Sequence, residues 1–211
     1  REDKDLLKHR FEIAATGWDP FDRHAALRGI THFLKKNPKD PTDPSKFEKF
    51  IFTPTGPGHQ TVLITAMKLA KFQDLKLIES LFEDVHASED STFELLRWIA
   101  DEKLIACRSK VEKLLRIDKH SYRIFRAGLA CLDELDGRAN PDRFNEKFAL
   151  PLLEKADSSD TLRGHVLRYF PDNHKAIDSK KLIAWLGSKN KTLQNEAIWK
   201  LRSHLDKSAN A

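Results

Sequence analysis

The chain has 211 residues, of which 40% are hydrophobic and 33% charged, so it can bury a core beneath a charged surface. No apolar run approaches the roughly 18–20 residues of a membrane-spanning helix, and 8 glycines and 9 prolines are too few for collagen-like or turn-dense β architectures. The net charge of +5 comes from 37 basic and 32 acidic residues, a mixed surface that allows a nucleic-acid partner without indicating one.

Apolar residues recur at helical spacing along nearly the whole chain, which predicts an all-α protein. In chain order the predicted helices form about six consecutive pairs: 4–16 with 21–35, 44–51 with 59–72, 75–86 with 91–101, 103–116 with 121–135, 142–155 with 160–169, and 178–186 with 191–204. The last helix shows the pattern well. Its predicted buried stripe is Leu193, Ala197, Ile198, Leu201 and Leu205. Its predicted solvent face is Lys191, Gln194, Asn195, Lys200 and Arg202.

Helix boundaries are marked by capping residues and by breaks in the pattern. Capping oxygens are expected at 44–45, 90–91, 159–160 and 178–179, and a left-handed C-terminal residue at Gly137 and Gly187. The proline- and glycine-rich stretches 36–45 and 53–59 predict surface loops. We treat 1–211 as a single domain, in which a weak boundary would fall in the 36–45 loop. Because the chain begins at Arg1, without methionine or an apolar signal segment, we expect a fragment or a trimmed chain.

The second helices of the pairs can be aligned on one small or medium-sized residue near the middle. The aligned residues are Gly29, Ala66, Leu96, Gly128, Val166 and Ala197, at intervals of 37, 30, 32, 38 and 31 residues. An apolar residue follows in most copies, although the third copy has Arg97. Helix pairs of this length that bury their stripes on their neighbours are typical of HEAT-type repeats. The prediction is a right-handed α-solenoid.

Three stretches carry a resemblance to a known family: FELLRWIADEKL (93–104), FRAGLACLDELDG (125–137) and the segment 160–201, which includes RYFPDNH. They resemble the HEAT-repeat segment of large secreted bacterial proteins of the planctomycete and verrucomicrobial type. In that family a propeller-like dehydrogenase domain precedes the repeats and a small c-type haem domain follows them. The resemblance covers residues 90–204 well and 20–72 loosely.

The resemblance implies a connecting scaffold in a periplasmic or secreted protein, with neighbouring domains of the same polypeptide or another protein as partner. The chain departs from the family because it has no CxxCH motif and no propeller strands, so no redox residue carries over. We expect this chain to have no enzymatic activity, no cofactor and no catalytic, cofactor-binding or metal site.

Several histidines and carboxylates could suggest a metal-binding or catalytic site, but each has a simpler structural interpretation. His24, Arg28 and His32 share one helix face, which we expect to be polar and solvated, because histidines eight residues apart lie about 12 Å apart, too far to share a metal. His165 and His174 flank the RYFPD turn without further convergent ligands. The paired carboxylates are adjacent in sequence or occur at helix ends, where acids cap the helix or offset its dipole: Asp133 with Asp136, Glu83 with Asp84, Glu89 with Asp90, and Asp101 with Glu102.

Two further sets leave alternatives open. Cys107 and Cys131 are expected as buried thiols, with a disulfide as the alternative. Trp98, Trp185 and Trp199 are expected in the core, and Trp18 in a turn packed across the first pair.

Clustered basic residues favour an alternative function, a nucleic-acid-binding or DNA-base-processing solenoid. Arg123 and Arg126 share one helix face, and Lys189, Lys191, Gln194 and Lys200 approximately share another. Because acids are interspersed in most helices, we expect no specific nucleic-acid binding.

Overall fold

We analysed the protein in a computed structural model, which describes residues 2–16, 19–38, 59–72, 74–83, 88–137, 146–155, 158–172 and 174–208. The helices are α1 (Glu2–Thr16), α2 (Pro20–Lys36), α3 (His59–Leu69), α4 (Leu75–Ser80), α5 (Glu89–Asp101), α6 (Arg108–Leu115), α7 (Tyr122–Leu135), α8 (Glu146–Glu154), α9 (Asp160–Tyr169), α10 (Ser179–Trp185) and α11 (Lys191–Ser208). A short 3-10 helix at Leu81–Glu83 follows α4, and another at Ile105–Cys107 precedes α6. No strand occurs in these ranges, so the prediction of an all-α fold is confirmed.

Most helix bounds agree with the predicted ones to within a few residues. Larger differences occur where a predicted first helix is partly 3-10, as at 81–83 and 105–107. The predicted helix 44–51, most of the two predicted loops and Trp18 lie outside the described residues.

Capping side chains begin several helices. Ser159 and Asp178 accept backbone hydrogen bonds from Leu162 and Lys181, as expected for residues that cap α9 and α10. The expected cap at 90–91 is wrong, since Ser88 caps α5 by accepting from the backbone of Ser91. The apolar stripe alone could not distinguish these positions, because Glu89 and Asp90 also fit the first turn of a helix.

Three helices end at a residue in the left-handed conformation. Gly137 has φ 69°, as predicted, whereas Gly187 does not have a positive φ. Lys71 and Lys103, at φ 54° and 50°, take this position after α3 and α5. After α5, the amide of Leu104 donates to Ile99 O and that of Lys103 to Ala100 O, the hydrogen-bond pattern of a Schellman motif. The left-handed C-terminal residue is therefore a lysine after these two helices, despite the steric cost of a Cβ atom at positive φ.

The chain divides into two compact units, Arg1–Val111 and Glu112–Ala211. In the first unit α2 contacts α1 and α3, and α3 contacts α5. In the second unit α9 contacts α7, α8 and α11, and α11 contacts α10. Within each unit, therefore, the second helices of successive pairs contact one another.

The aligned positions of the second helices lie in these contacts. Ala66, Leu96, Val166 and Ala197 are at most 1% exposed, and Gly128 is buried, whereas Gly29 is half-buried beneath the Arg10 side chain. Apolar residues near the aligned positions on the same helices are also buried: Leu95, Leu129, Leu132 and Leu167. At Gly164 the backbones of α9 and α11 come so close that a Cβ would lie 3.1 Å from the amide nitrogen of Leu193.

Candidate interaction surface

The faces of α11 differ from the predicted ones. The buried stripe consists of Leu193, Ala197 and Lys200, while Ile198 is 42% exposed and Leu201 is intermediate. The predictions that Ile198 is buried and Lys200 exposed are therefore wrong. Positions 193, 197 and 200 share one helix face, whereas position 198 is rotated by about 100° from position 197.

Lys200 can be buried because the turn after α9 satisfies its charge. Its Nζ donates to Phe170 O and, over 2.8 Å, to Asp172 Oδ1. Ser203 Oγ donates to the other oxygen of the same carboxylate, over 3.2 Å. A buried ammonium without such partners would be strongly unfavourable. The RYFPDNH turn thus fixes the rotation of α11 about its own axis.

This rotation places Trp199 on the surface, where its side chain is 61% exposed. Trp199 was predicted to lie in the core, and this is wrong for the same reason as for Ile198. Trp98 is buried as predicted, at 1% exposure, and Trp185 is half-buried. The neighbouring helix α10 exposes Ile183, at 58%. The exposed apolar residues of the last helix pair are therefore Ile183, Ile198 and Trp199.

His165 is buried against aromatic side chains. Its ring centroid lies 5.6 Å from that of Phe125 and 5.9 Å from that of Tyr122. Nε2 donates to His120 O over 3.0 Å, because a carbonyl oxygen can only accept. Nδ1 is buried without a hydrogen-bond partner in the ranges described. Burial lowers the pKa of His165, so the ring is held neutral.

His174 belongs to a different cluster. Its Nε2 lies 3.0 Å from Glu146 Oε1, its Nδ1 accepts from the amide of Ala176, and its ring packs on Phe170. The hydrogen bond from His174 lowers the pKa of the Glu146 carboxyl. The two histidines therefore lie in separate clusters and have no described hydrogen-bond partner in common. Among the described residues no group of three His, Cys, Asp or Glu side chains could hold a metal ion.

The row of His24, Arg28 and His32 lies on α2. Arg28 and His32 line a groove of about 390 Å³ between α2 and α3, together with Thr31, Lys35, Thr61, Val62 and Thr65. His24 is half-buried one turn earlier; burial and the charge of Arg28 both lower its pKa. The expectation of a wholly solvated face is correct for the exposed Arg28 and His32, but it missed the groove, which depends on the facing helix.

Cys107 and Cys131 are buried thiols, and no disulfide joins them. Burial raises the pKa of Cys107 to about 11, which disfavours the reactive thiolate. The described carboxylates of the predicted pairs lie at helix ends, but only those in a first turn can offset the helix dipole, since an acid at a C-terminal end has the unfavourable sign. Glu89 and Asp90 occupy the first turn of α5, and Asp136 ends α7.

Basic side chains are interspersed with acids on most of the described surface. Lys68 pairs with Asp101, Lys110 with Glu83, and Lys181 with Glu154. Arg123 and Arg126 are both exposed on α7, but Lys200, the last member of the other predicted basic group, is buried.

None of the helices in the described ranges is both long enough and apolar enough to cross a bilayer. Comparison with known proteins gives no match: no family model, no curated protein and no solved structure is significantly similar to the chain.

Proposed function

We propose that the chain is a non-catalytic scaffold built from HEAT-type helix pairs, which binds a protein partner or a neighbouring domain of its own polypeptide. The supporting observation is the exposure of Trp199, with Ile198 beside it and Ile183 on the adjacent helix. Large apolar side chains in water carry a cost that a binding partner would relieve, and tryptophan is enriched among the residues that dominate interface energies. Lys200, the next residue, fixes the orientation that exposes Trp199.

We further propose that the pairs are arranged as a right-handed α-solenoid. Two observations support this arrangement within the separate units: α2, α3 and α5 form one series of contacting second helices, and α7, α9 and α11 form another. Stacking of equivalent helices from successive pairs is how repeat proteins bury surfaces that one pair cannot cover.

The proposal is tested by capture of interacting proteins with the wild-type chain and with Trp199→Ser, followed by a binding titration with each purified candidate. We expect at least one protein to bind the wild type and to lose about 30-fold or more in affinity with Trp199→Ser, the usual loss at an interface hot spot. Phe21→Ser is the matched control, since Phe21 is an aromatic side chain that is 76% exposed on α2. Equal affinities of all three proteins for every candidate would contradict the proposal.

We also propose that the chain binds no nucleic acid specifically. The ion pairs that connect neighbouring elements support this, because they neutralise basic residues that a phosphate backbone would need. A labelled duplex titrated at about 50 mM and 200 mM salt tests it. Weak attraction at low salt is expected from a net charge of +5, whereas tight binding that survives the higher salt would favour the alternative of a nucleic-acid-binding solenoid.

The resemblance to the dehydrogenase-like secreted family is tested separately, by sequencing the complete gene. We expect a propeller-like domain before this segment and a CxxCH motif after it, which would make the partner a neighbouring domain of the same polypeptide. A gene with neither feature would leave the scaffold proposal standing on the exposed apolar residues alone.

A further inference from the structure

The groove between α2 and α3 has an unusual charge distribution. Residues 23–36 and 59–69 contain five Lys or Arg side chains and no Asp or Glu, so these two segments carry a formal charge of +5. Three of the cationic or protonatable side chains line the groove itself: Arg28, His32 and Lys35. At positions i, i+4 and i+7 of one helix, they form a row about 10 Å long on a single face.

The side chains of this row lack ion-pair partners among the described residues. In the part of the chain that the structure describes, Arg28, His32 and Lys35 form no ion pair and no hydrogen bond through their side chains. By contrast, Lys68 on α3 forms an ion pair with Asp101.

The opposite wall is polar but uncharged. Thr61, Val62 and Thr65 line it from α3, and the Thr65 hydroxyl donates to Thr61 O over 2.8 Å. On α2, Thr31 donates in the same way to Leu27 O. With the hydroxyl protons of Thr31 and Thr65 committed to helix carbonyls, the charged donors that line the groove are Arg28 and Lys35, and the His32 ring lies between them.

We propose that this groove binds the phosphate group of a phosphorylated peptide. A phosphomonoester carries about −1.5 to −2 charges near neutral pH and three strong acceptor oxygens, and a guanidinium can donate to two of them at once. The volume of about 390 Å³ admits a phosphorylated side chain and its neighbours. The described lining residues include no Phe, Tyr or Trp on which a nucleic-acid base could stack, and this favours a peptide over a single-stranded nucleic acid.

The proposal adds a second binding site and does not rest on the exposed apolar residues of the last helix pair, which belong to the other compact unit. The two ideas can fail independently, since Trp199→Ser leaves the groove residues unchanged and Arg28→Gln leaves Trp199 unchanged.

The probe is a short fluorescein-labelled glycine–alanine peptide with one central phosphothreonine, titrated into the full chain and followed by fluorescence polarisation. We expect Arg28→Gln to weaken its binding by about tenfold, the usual effect of one charge-assisted hydrogen-bonding group. The matched control is Arg126→Gln, which removes the same charge from an exposed arginine on α7 and should leave the affinity within about twofold of the wild type. Circular dichroism melting curves establish that both variants are folded.

Three comparisons decide the outcome. The unphosphorylated peptide and a single-stranded oligonucleotide of similar length should bind more weakly than the phosphopeptide, and inorganic phosphate should compete with it. Absence of phosphopeptide binding, equal loss in both variants, equal binding of the unphosphorylated peptide, or tighter binding of the oligonucleotide would each overturn the proposal.

Discussion

Lys200 is buried, and two hydrogen-bond acceptors meet its ammonium group. Its side chain is 4% exposed, and its two oxygen partners belong to the turn that follows α9. Asp172 is 39% exposed, but Phe170 O is buried, and leaving a buried acceptor without its charged donor usually costs more than losing an exposed ion pair. Lys200 therefore contributes to stability through the contact between α11 and the RYFPDNH turn.

We predict that Lys200→Ala lowers the free energy of unfolding by about 2–3 kcal/mol, since Phe170 O and Asp172 lose a charged donor. Ile198→Ala should cost less than about 1 kcal/mol, because this side chain is already 42% exposed. Denaturant midpoints of the two variants provide the measurement. A larger loss for Ile198→Ala would mean that α11 is rotated differently.

His165 is a second residue whose environment determines a measurable property. Burial against Phe125 and Tyr122 disfavours a proton on its ring, so its pKa lies below the ordinary value of 6.5. In the unfolded chain the same histidine binds a proton more readily. Acidification through this range therefore favours the unfolded state.

We predict that the free energy of unfolding of the wild type falls as the pH decreases from about 7 through 6.5 and below, until the folded-state pKa of His165 is reached. His165→Phe should reduce this dependence, because it removes a group that takes up a proton only on unfolding. Urea titrations at pH values between about 5 and 7.5 measure the effect. An unchanged slope in the variant would contradict the assigned role of His165.

At the scale of elements, glycine sets the separation between α9 and α11. The nearest neighbours of a Cβ at Gly164 would be backbone atoms of Leu193, at 3.1 and 3.3 Å, and the methyl group of Thr192 at 3.2 Å. Backbone atoms cannot move aside without shifting the whole helix. The contact between these two helices therefore depends on the absence of a side chain at position 164.

We predict that Gly164→Ala destabilises the protein by about 1–3 kcal/mol, the usual cost of overpacking, despite the higher helix propensity of alanine. Gly187→Ala is the control, because a Cβ there would meet only Ala184 O, at 3.8 Å. It should change stability by no more than about 0.5 kcal/mol. Thermal or chemical unfolding distinguishes the two, and equal effects would argue against the close approach.

At the scale of the whole molecule, the two units carry different candidate surfaces. The first unit contains the basic groove between α2 and α3, and the second contains the exposed apolar residues of α10 and α11. Elsewhere on the surface, basic and acidic side chains form pairs such as Lys110 with Glu83, which are not part of either candidate surface. A protein that binds partners through more than one surface is consistent with the scaffold function proposed above.

The sequence alone determined the helical fold class and most helix bounds. Helical spacing of apolar residues depends only on local geometry, so a stripe such as that of α7, with Ile124, Leu132 and Leu135 buried, can be identified without its partners. The same applies to caps such as Ser159 and Asp178, whose hydrogen bonds lie within one turn of the chain.

Only the tertiary structure decided which polar side chains are buried and which apolar ones are exposed. Lys200 is buried because acceptors about thirty residues earlier in the chain meet its ammonium, and nothing within α11 indicates this. Trp199 is exposed as a consequence of the same rotation. The groove at Arg28 likewise requires the facing residues of α3. Both candidate surfaces depend on contacts between residues distant in sequence. The local pattern of apolar residues carries no information about such contacts.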